Sequence, residues 1–317
     1  MPKKTKYRVR NWCEYNKALV SRGSLTVWFS EDAMKHVSDQ VIGNAHGNQR
    51  YSDGLIECCL RLKEVYRMTL RATEGFMQSL LTQWGLNIKV PDYTTLSRRA
   101  ARLKVDLCAR EKSQARHILV DSTGVQVIGG SEWKTIRHGK KGKQLWRKLH
   151  IAVDANTLDI CSAIVTESQR SDGNYLRPLI EAIHSPVSRI VGDGAYDKKS
   201  CYQVAYERGA EPVFPPQYNA VVQRNRIKKE PALLVRDELI QYLNGGKRYK
   251  NRLTRWKNKN NYHRRSLVET TMSRLKHLFG DQVRSRRFEN QTTDLMIRCS
   301  IINKMNDLGL PDTVKVA

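Results

Sequence analysis

The spacing of apolar residues divides the chain into a helical part and a part rich in strands. Between residues 52 and 104 apolar side chains recur every three or four positions, which is typical of amphipathic helices. Two such runs follow each other, the second from Leu70 to Trp84, and the segment YTTLSRRAARL repeats the pattern further on. We therefore predict three consecutive helices, preceded by polar, loop-like residues 1–50 with one apolar patch at 25–29.

From residue 117 the pattern changes to that of β-strands. The segment HILVDSTGVQV is rich in β-branched residues, and LWRKLHIAVDANTLDICSAIVTE is predicted to form a hairpin that turns at 154–157. Helices are predicted near 172–184 and 197–209, and the segments SRIVGDGAY and EPVFPP are predicted to be short strands. The order β-β-β-α-β-α-β indicates an α/β domain.

The clearest helix of the chain is predicted at about 262–279, after residues 217–260, whose polar and basic pattern indicates neither helix nor strand. Another helix is predicted at about 292–307. At ~100° per residue the first of these helices has an apolar stripe formed by Val268, Met272, Leu275 and Phe279. A polar stripe lies beside it, formed by Tyr262, Arg265, Glu269 and Lys276. An ordinary surface ion pair at i,i+4 would also account for an Arg and a Glu at this spacing.

The chain carries a strong positive charge. Of its 317 residues, 56 are Lys or Arg and 31 are Asp or Glu, which gives a formal net charge of +25. Residues 241–290 hold 14 basic and 3 acidic residues, residues 137–148 hold six basic residues, and the first ten residues hold five. Aromatic residues lie in or beside two of these runs, at Trp133, Trp146, Tyr249, Trp256 and Tyr262. Together the runs favour a nucleic acid partner over a merely solvated surface.

Composition excludes several classes of protein. A hydrophobic content of 40% is enough for a core and argues against a wholly disordered chain. No stretch approaches the roughly 18 apolar residues of a membrane helix, and the first residues lack the apolar segment of a secretory signal. Seven cysteines show neither zinc-site spacing nor a disulfide framework. We therefore expect a cytoplasmic protein with no membrane partner.

Two acidic residues stand at the ends of apolar strands. Asp121 follows the segment ILV, and Asp193 follows the segment IVG. A carboxylate in such a place is costly unless it is paired or bound to a cation. On neighbouring strands the two carboxylates would meet at one sheet edge, where a divalent cation would neutralise them. Taken alone, one such aspartate is more often an ordinary turn or cap residue.

Three arginines mark the last helix of the first part of the chain. Arg98, Arg99 and Arg102 alternate there with the apolar Leu96 and Ala100. A helix, a turn and a basic helix in this order resemble a helix-turn-helix, whose last helix enters the DNA major groove. The alternative is a helical bundle with an arginine-rich face.

Several motifs resemble those of a known protein family. The pattern Tyr-x2-Arg-x3-Glu-x6-Lys is the signature of bacterial DDE transposases of the IS4/IS5 type, and here it reads YHRRSLVETTMSRLK. The segments VDSTGVQV and GDGAYD resemble the blocks around the family's two aspartates. Short segments such as LTVW, LSRRA and WRKLH resemble the IS903-like branch of the IS5 family. The chain is therefore similar to IS5-family insertion-sequence transposases over about residues 10–310.

The resemblance implies a fold and a chemistry. The fold is an α/β, RNase H-like catalytic core, a mixed sheet flanked by helices, preceded by a helical DNA-binding region. Asp121, Asp193 and Glu269 would be the catalytic residues and would hold two Mg²⁺ ions, for which Mn²⁺ can substitute. Water would first free a 3′-OH at the end of the element, and this hydroxyl would then attack a target phosphodiester.

The resemblance also implies where DNA binds. Tyr262, Arg265 and Lys276 would contact the phosphate backbone near the scissile bond. Trp256 lies in a basic insertion at about 217–260 and would stack on an unpaired base. Simple packing is the alternative for this tryptophan.

We expect two domains, a mainly helical DNA-binding region at 1–112 and a DDE catalytic domain at 113–317. The partners are double-stranded DNA, as terminal inverted repeats and as target, and a second protomer in a homodimer or higher oligomer. His150 and Asp154 lie on strands near the expected site, and we interpret both as structural. Two other functions remain open, a metal-dependent nuclease without strand transfer and a catalytically silent DNA-binding protein.

Overall fold

The computed structural model describes residues 6–29, 51–85, 89–110, 114–128, 144–223, 230–246 and 248–316. The helices are α1 (Trp12–Ser21), α2 (Leu25–Trp28), α3 (Asp53–Val65), α4 (Leu70–Gln83), α5 (Tyr93–Ala100), α6 (Leu176–Glu181), α7 (Lys199–Glu207), α8 (Leu234–Asn244), α9 (Tyr249–Lys259), α10 (Ser266–Phe279) and α11 (Phe288–Leu308). The strands are β1 (Lys6–Val9), β2 (Arg116–Val127), β3 (Leu145–Asp154), β4 (Ile160–Glu167), β5 (Val187–Val191), β6 (Glu211–Val213), β7 (Gln282–Val283) and β8 (Thr313–Val316). Within these described ranges, no helix is long and apolar enough to cross a membrane.

The chain forms two compact units. The first combines residues 1–108 with residues 287–317, and the second consists of residues 109–286. The sequence placed residues 287–317 in the second domain, whereas they pack with the first unit. Helix α11 has buried residues on all sides. Its apolar residues therefore do not form one stripe that would indicate which unit it packs against. The assignment of DNA binding to the first domain stays a prediction.

The first unit is mainly helical, as the apolar spacing predicts. Helices α3, α4 and α5 pack against one another, and α11 packs on α3 and α5. The expectation of a loop-like start is wrong where the structure describes it, because β1 and α1 lie there. Strand β1 pairs antiparallel with β8, at the other end of the chain. A pairing over that distance leaves no local signal in the sequence. Residues 30–50 lie outside the described residues.

Buried charges join α3 to α11 in the first unit. Lys63 Nζ lies 2.7 Å from a carboxylate oxygen of Glu64 and 2.7 Å from one of Asp294. The Arg298 Nε donates to the second oxygen of Glu64 at 2.7 Å. Burial favours the neutral acid, but the two cations hold the pKa of Glu64 below its usual value. Each buried charge is thus compensated by an opposite one.

We expect Glu64→Ala to lower the free energy of unfolding by about 3–5 kcal/mol, because it leaves Arg298 buried without this partner. Urea unfolding followed by circular dichroism measures the change. Glu289→Ala, which removes a half-exposed acid at the start of α11, is the matched control and should cost less than about 1 kcal/mol. A similar small loss for Glu64→Ala would contradict a stabilising role for the buried network.

The second unit contains a mixed sheet with strand order β4-β3-β2-β5-β6. Strands β2, β3 and β4 are antiparallel, whereas β5 and β6 run parallel to β2. The short β7 also pairs parallel with β2, at its far end. The hairpin and the order of strands and helices agree with the sequence prediction. The expected α/β core, a mixed sheet flanked by helices, is confirmed, and its RNase H-like character stays a prediction.

Helices cover both faces of this sheet. On one face Ile118 and Val120 of β2 join an apolar cluster with residues of α6 and α7. On the other face α10 packs on β2 and β3, with Val268, Met272 and Leu275 buried. Because side chains alternate along a strand, Leu119 and Asp121 point to the α10 face.

Two local elements differ from the prediction. Residues 217–260, which the pattern left unassigned, contain α8 and α9. No residue of α9 is fully buried in the described structure. Most of the helix is lysine, arginine and asparagine, so its few half-buried apolar residues are hard to recognise in the sequence. The helix predicted from about 262 begins as an α-helix only at Ser266, because residues 262–265 form a 3₁₀ turn. Tyr262 and Arg265 therefore do not share one continuous α-helical stripe with Glu269 and Lys276.

Candidate active site

Asp121 and Asp193 lie side by side at the point where two parallel strands separate. The last paired residues of β2 and β5 are Leu119 and Val191. Two residues further along each strand are Asp121 and Asp193, so the same register brings both carboxyl groups to one edge of the sheet. Neither side chain is fully buried. This geometry agrees with the expectation that the carboxylates of Asp121 and Asp193 lie close together.

A tight turn holds Asp193 in place. Its Oδ1 accepts a hydrogen bond from the Ala195 N–H at 2.9 Å, which caps a 3₁₀ turn at residues 194–196. The buried ring of Tyr196 packs so closely over Gly192 that an added Cβ would lie 2.7 Å from Tyr196 Cδ2. The glycine before the aspartate is therefore a steric requirement of this turn.

Arg265 joins the first and third acids of the expected triad. Its Nη1 donates to Asp121 Oδ2 at 2.9 Å, and its Nη2 donates to Glu269 Oε1. Glu269 lies in the first turn of α10, with 52% of its side chain exposed. The structure thus brings together Asp121, Asp193, Glu269 and Arg265, which come from three separate parts of the sequence.

The electrostatics of the site are those of crowded carboxylates. Burial raises the pKa of Asp121, and the charges of Asp193 and Glu269 add to the rise. The Ser122 N–H and the Arg265 guanidinium act in the opposite direction. In the described part of the chain, no three His, Cys, Asp or Glu side chains are gathered closely enough to hold a metal ion as they stand. Arg265 provides the positive charge beside these carboxylates.

The other expected site residues are Tyr262, Trp256 and Lys276, and each has different surroundings. Burial raises the pKa of Tyr262, and Asp193, Asp121 and Glu269 raise it further, so the phenol is within their electrostatic reach. The Trp256 ring lies 6.1 Å from the Tyr262 ring, between centroids. Lys276 is part-buried two helical turns beyond Glu269 on α10.

A comparison with protein families identifies the family to which the chain belongs. The family model described as a transposase DDE domain matches residues 112–304, more than half of the chain. A second model with the same description matches residues 20–130. The chain belongs to the DDE transposases. Transposases of this family cut and join DNA.

A search of solved structures also finds a transposase. The chain is similar to the Mos1 mariner transposase in its paired end complex with Mn, with 10% sequence identity and a TM-score of 0.22. The match covers 77% of this chain and 86% of the Mos1 chain. The two structures do not superimpose closely at this TM-score, so the fold assignment rests on the strand order described above.

The arginines of the expected DNA-binding helix differ in their surroundings. In this transposase Arg98 and Arg102 are exposed, whereas Arg99 donates to the Tyr51 carbonyl at 2.8 Å and lies 2.5 Å from Asp53. The connection from α4 to α5 spans residues 84–92, which is longer than the 3–4-residue turn of a helix-turn-helix. The helix-turn-helix stays a prediction for α4 and α5.

The sequence reasoning missed a polar cluster behind β2. Asp172 lies 2.7 Å from Lys148 Nζ and 3.3 Å from Nδ1 of the buried His150. Burial favours the neutral form of Asp172 and so raises its pKa. The interactions with His150, Lys148 and Ser122 outweigh burial and hold the pKa of Asp172 well below its usual range. The alternation of β2 places Ser122 on the opposite face from Asp121. The acid in the segment SDGNY was the only signal for this cluster.

Two further aspartates of the transposase form structural pairs. Asp154 accepts a hydrogen bond from the buried Arg116 at 3.0 Å, which agrees with its interpretation as structural. Asp197 ends the GDGAYD segment and is buried against Arg236, whose Nε donates to Oδ1 at 2.7 Å. The second pair fixes α8 to the loop that carries Asp193.

Proposed function

We propose that this transposase binds the terminal inverted repeats of an insertion sequence, cleaves DNA there and joins the 3′-OH ends to target DNA. Asp121, Asp193 and Glu269 are the catalytic residues in this proposal. The observation that carries it is the shared register of the two aspartates beside a guanidinium that also contacts the glutamate. We further propose that the chain belongs to the IS903-like branch of the IS5 family, on the motifs quoted above.

The donor set is suited to Mg²⁺ or Mn²⁺. Both ions prefer carboxylate oxygens, and all three acids provide them. The crowding that raises the pKa of Asp121 is the electrostatic environment that an added cation relieves. When bound, two such ions would polarise the attacking hydroxyl and stabilise the leaving oxygen.

The chain's own residues orient the DNA. Arg265 has a forked guanidinium suited to a phosphate, and it must leave the carboxylates in order to bind one. Tyr262 and Lys276 lie on either side of it in sequence and would contact the same backbone. Trp256 is part-buried next to Tyr262, where its ring would support an unpaired base. Arg98, Arg99 and Arg102 would contact the terminal repeats, and of these Arg99 would first have to leave Asp53.

Two ends of one element must be held together for joining. Each protomer contributes one set of catalytic acids, so we propose a homodimer or higher oligomer in the synaptic complex. The net charge of +25 supports association with DNA phosphates over a long contact.

One assay separates the proposed function from its rivals. The purified chain is incubated with Mg²⁺, a target plasmid and a duplex carrying the terminal repeats that flank its coding sequence. Joined products are expected and would support a transposase that completes strand transfer. Cleavage without joining would indicate a nuclease, and a mobility shift without cutting would indicate a DNA-binding protein. A duplex with scrambled repeats is the control.

We expect Lys276→Ala to weaken the end complex and slow strand transfer while leaving the melting temperature close to that of the unmodified chain. Loss of one phosphate contact should reduce the salt slope of binding by about one unit. Lys276→Arg keeps the charge and should restore most of the slope. An unchanged slope and joining rate in Lys276→Ala would exclude the phosphate contact.

A further inference from the structure

Two tyrosines outside the expected site form a paired aromatic surface. Tyr218 follows β6 and is 93% exposed, and Tyr249 begins α9. Their rings lie 6.2 Å apart, between centroids, with an edge-on angle of 71°. An edge-on contact covers little of either ring face, so a flat apolar surface remains in contact with solvent.

The loop that carries Tyr218 is held by hydrogen bonds on both sides of this ring. The Gln217 N–H donates to Asp197 Oδ2 at 3.0 Å, and the Gln217 side chain donates to the Gly194 carbonyl at 3.3 Å. On the other side, Arg236 donates to the Val221 carbonyl at 3.0 Å and also holds Asp197. The loop therefore presents an exposed ring from a fixed backbone, which lowers the entropic cost of binding to it.

The same bonds place the ring pair beside the loop of Asp193. Gly194 follows that aspartate directly, and Asp197 lies in the same segment. Tyr249 is close as well, because its ring contacts that of Tyr218. Burial raises the pKa of Tyr249, and the charge of Asp197 adds to the rise. A ligand on the two rings would thus lie near the acids that we propose to be catalytic.

The charge beside the rings indicates the kind of ligand. Helix α9 has the sequence YKNRLTRWKNK, with five basic residues and no acidic one. A positive helix beside the exposed Tyr218 ring and the half-buried Tyr249 ring is a combination by which proteins bind unpaired nucleotides, with bases on the rings and phosphates on the cations. An apolar protein partner would not account for the five cations.

We propose that Tyr218 and Tyr249 form a stacking site for an unpaired base of single-stranded DNA next to the cleavage site. This site is separate from the Trp256–Tyr262 pair. The inference rests on the proposed function, since it supposes that DNA at the catalytic acids is opened locally. Its ligand is a nucleotide strand leaving the duplex, recognised by ring stacking and without a preference for one base.

The test compares two DNA probes in EDTA, where no cutting occurs. One is a blunt duplex of arbitrary sequence, and the other is the same duplex with a short single-stranded thymidine tail. The full chain should bind the tailed duplex more tightly. Tyr218→Ala and Tyr249→Ala should each lose about five-fold or more of this preference, which is the effect of losing one stacked base. Affinity for the blunt duplex should stay unchanged.

Two variants serve as controls. Tyr218→Phe keeps the ring and should keep the tail preference, and Tyr206→Ala removes an exposed tyrosine on α7 and should behave as the unmodified chain. Thermal melting checks that Tyr249→Ala is folded. The proposal is overturned if Tyr218→Ala retains the full tail preference, or if it loses affinity for both probes equally. Because binding is measured without cleavage, either result is independent of whether the chain cuts and joins DNA.

Discussion

Asp121→Asn, Asp193→Asn and Glu269→Gln are each expected to abolish cleavage and joining while leaving binding to the terminal repeats intact. Each change removes one anionic donor from the group of carboxylates that β2, the turn after β5 and the start of α10 bring together. The loss corresponds to several kcal/mol of transition-state stabilisation, so the rate should fall by on the order of 10³-fold or more. Phosphate contacts are made by cations, so binding does not depend on these acids.

Gel-based cleavage and strand-transfer assays in Mg²⁺ measure the loss, and a mobility-shift assay on the same preparations measures binding. Glu181→Gln is the matched control, because it neutralises an exposed acid on α6 of the same unit. Thermal stability should not fall in Asp121→Asn, since burial and then the neighbouring like charges already raise the pKa of Asp121. Near-normal strand transfer in any one of the three amide variants would remove that residue from the catalytic group.

Arg265→Ala should slow joining by on the order of 10²-fold, the usual cost of losing one electrostatic contact to the transition state. It should also raise the affinity for a divalent cation in the absence of DNA. The reason is that the guanidinium now contacts Asp121 and Glu269 and competes with any other cation for the same oxygens. Calorimetric titration with Mn²⁺ and a joining assay measure the two effects separately.

Arg265→Lys is the informative control, because it keeps one charge but loses the fork that contacts two carboxylates. It should be intermediate in both measurements. The opposing hypothesis is that Arg265 only holds the start of α10 against Glu269. Under that hypothesis Arg265→Ala would melt at a lower temperature, with unchanged cation affinity and full joining per folded molecule.

The sequence could predict that two residues lie side by side where the local apolar pattern determines how their strands pair. Asp121 follows an apolar run within β2 and Asp193 follows the apolar β5, and parallel pairing of such segments brings equivalent positions together. The bond from Arg265 to Asp121 could not be predicted, because it joins residues 144 positions apart and depends on a 3₁₀ turn before α10. The roles of these residues stay predictions until the variants are measured.

Other parts could not be predicted, because they depend on distant partners or have a weak apolar pattern. Strand β1 pairs with β8, and the polar composition around it resembles a loop. Helix α9 is at most half-buried, and its many basic residues obscure the few apolar ones. The position of Asp172 beside Ser122 depends on how the chain returns to the sheet after β4, which no spacing within one segment records.

Both ends of the chain contribute to the first unit, and this has a consequence for biosynthesis. Lys63 and Glu64 leave the ribosome before their buried partners Asp294 and Arg298, which follow 231 and 234 positions later. The second unit, residues 109–286, emerges before them. A product that ends before α11 would therefore lack the partners of Lys63 and Glu64 on the buried side of α3. The first unit can therefore complete its folding only after α11 has been translated.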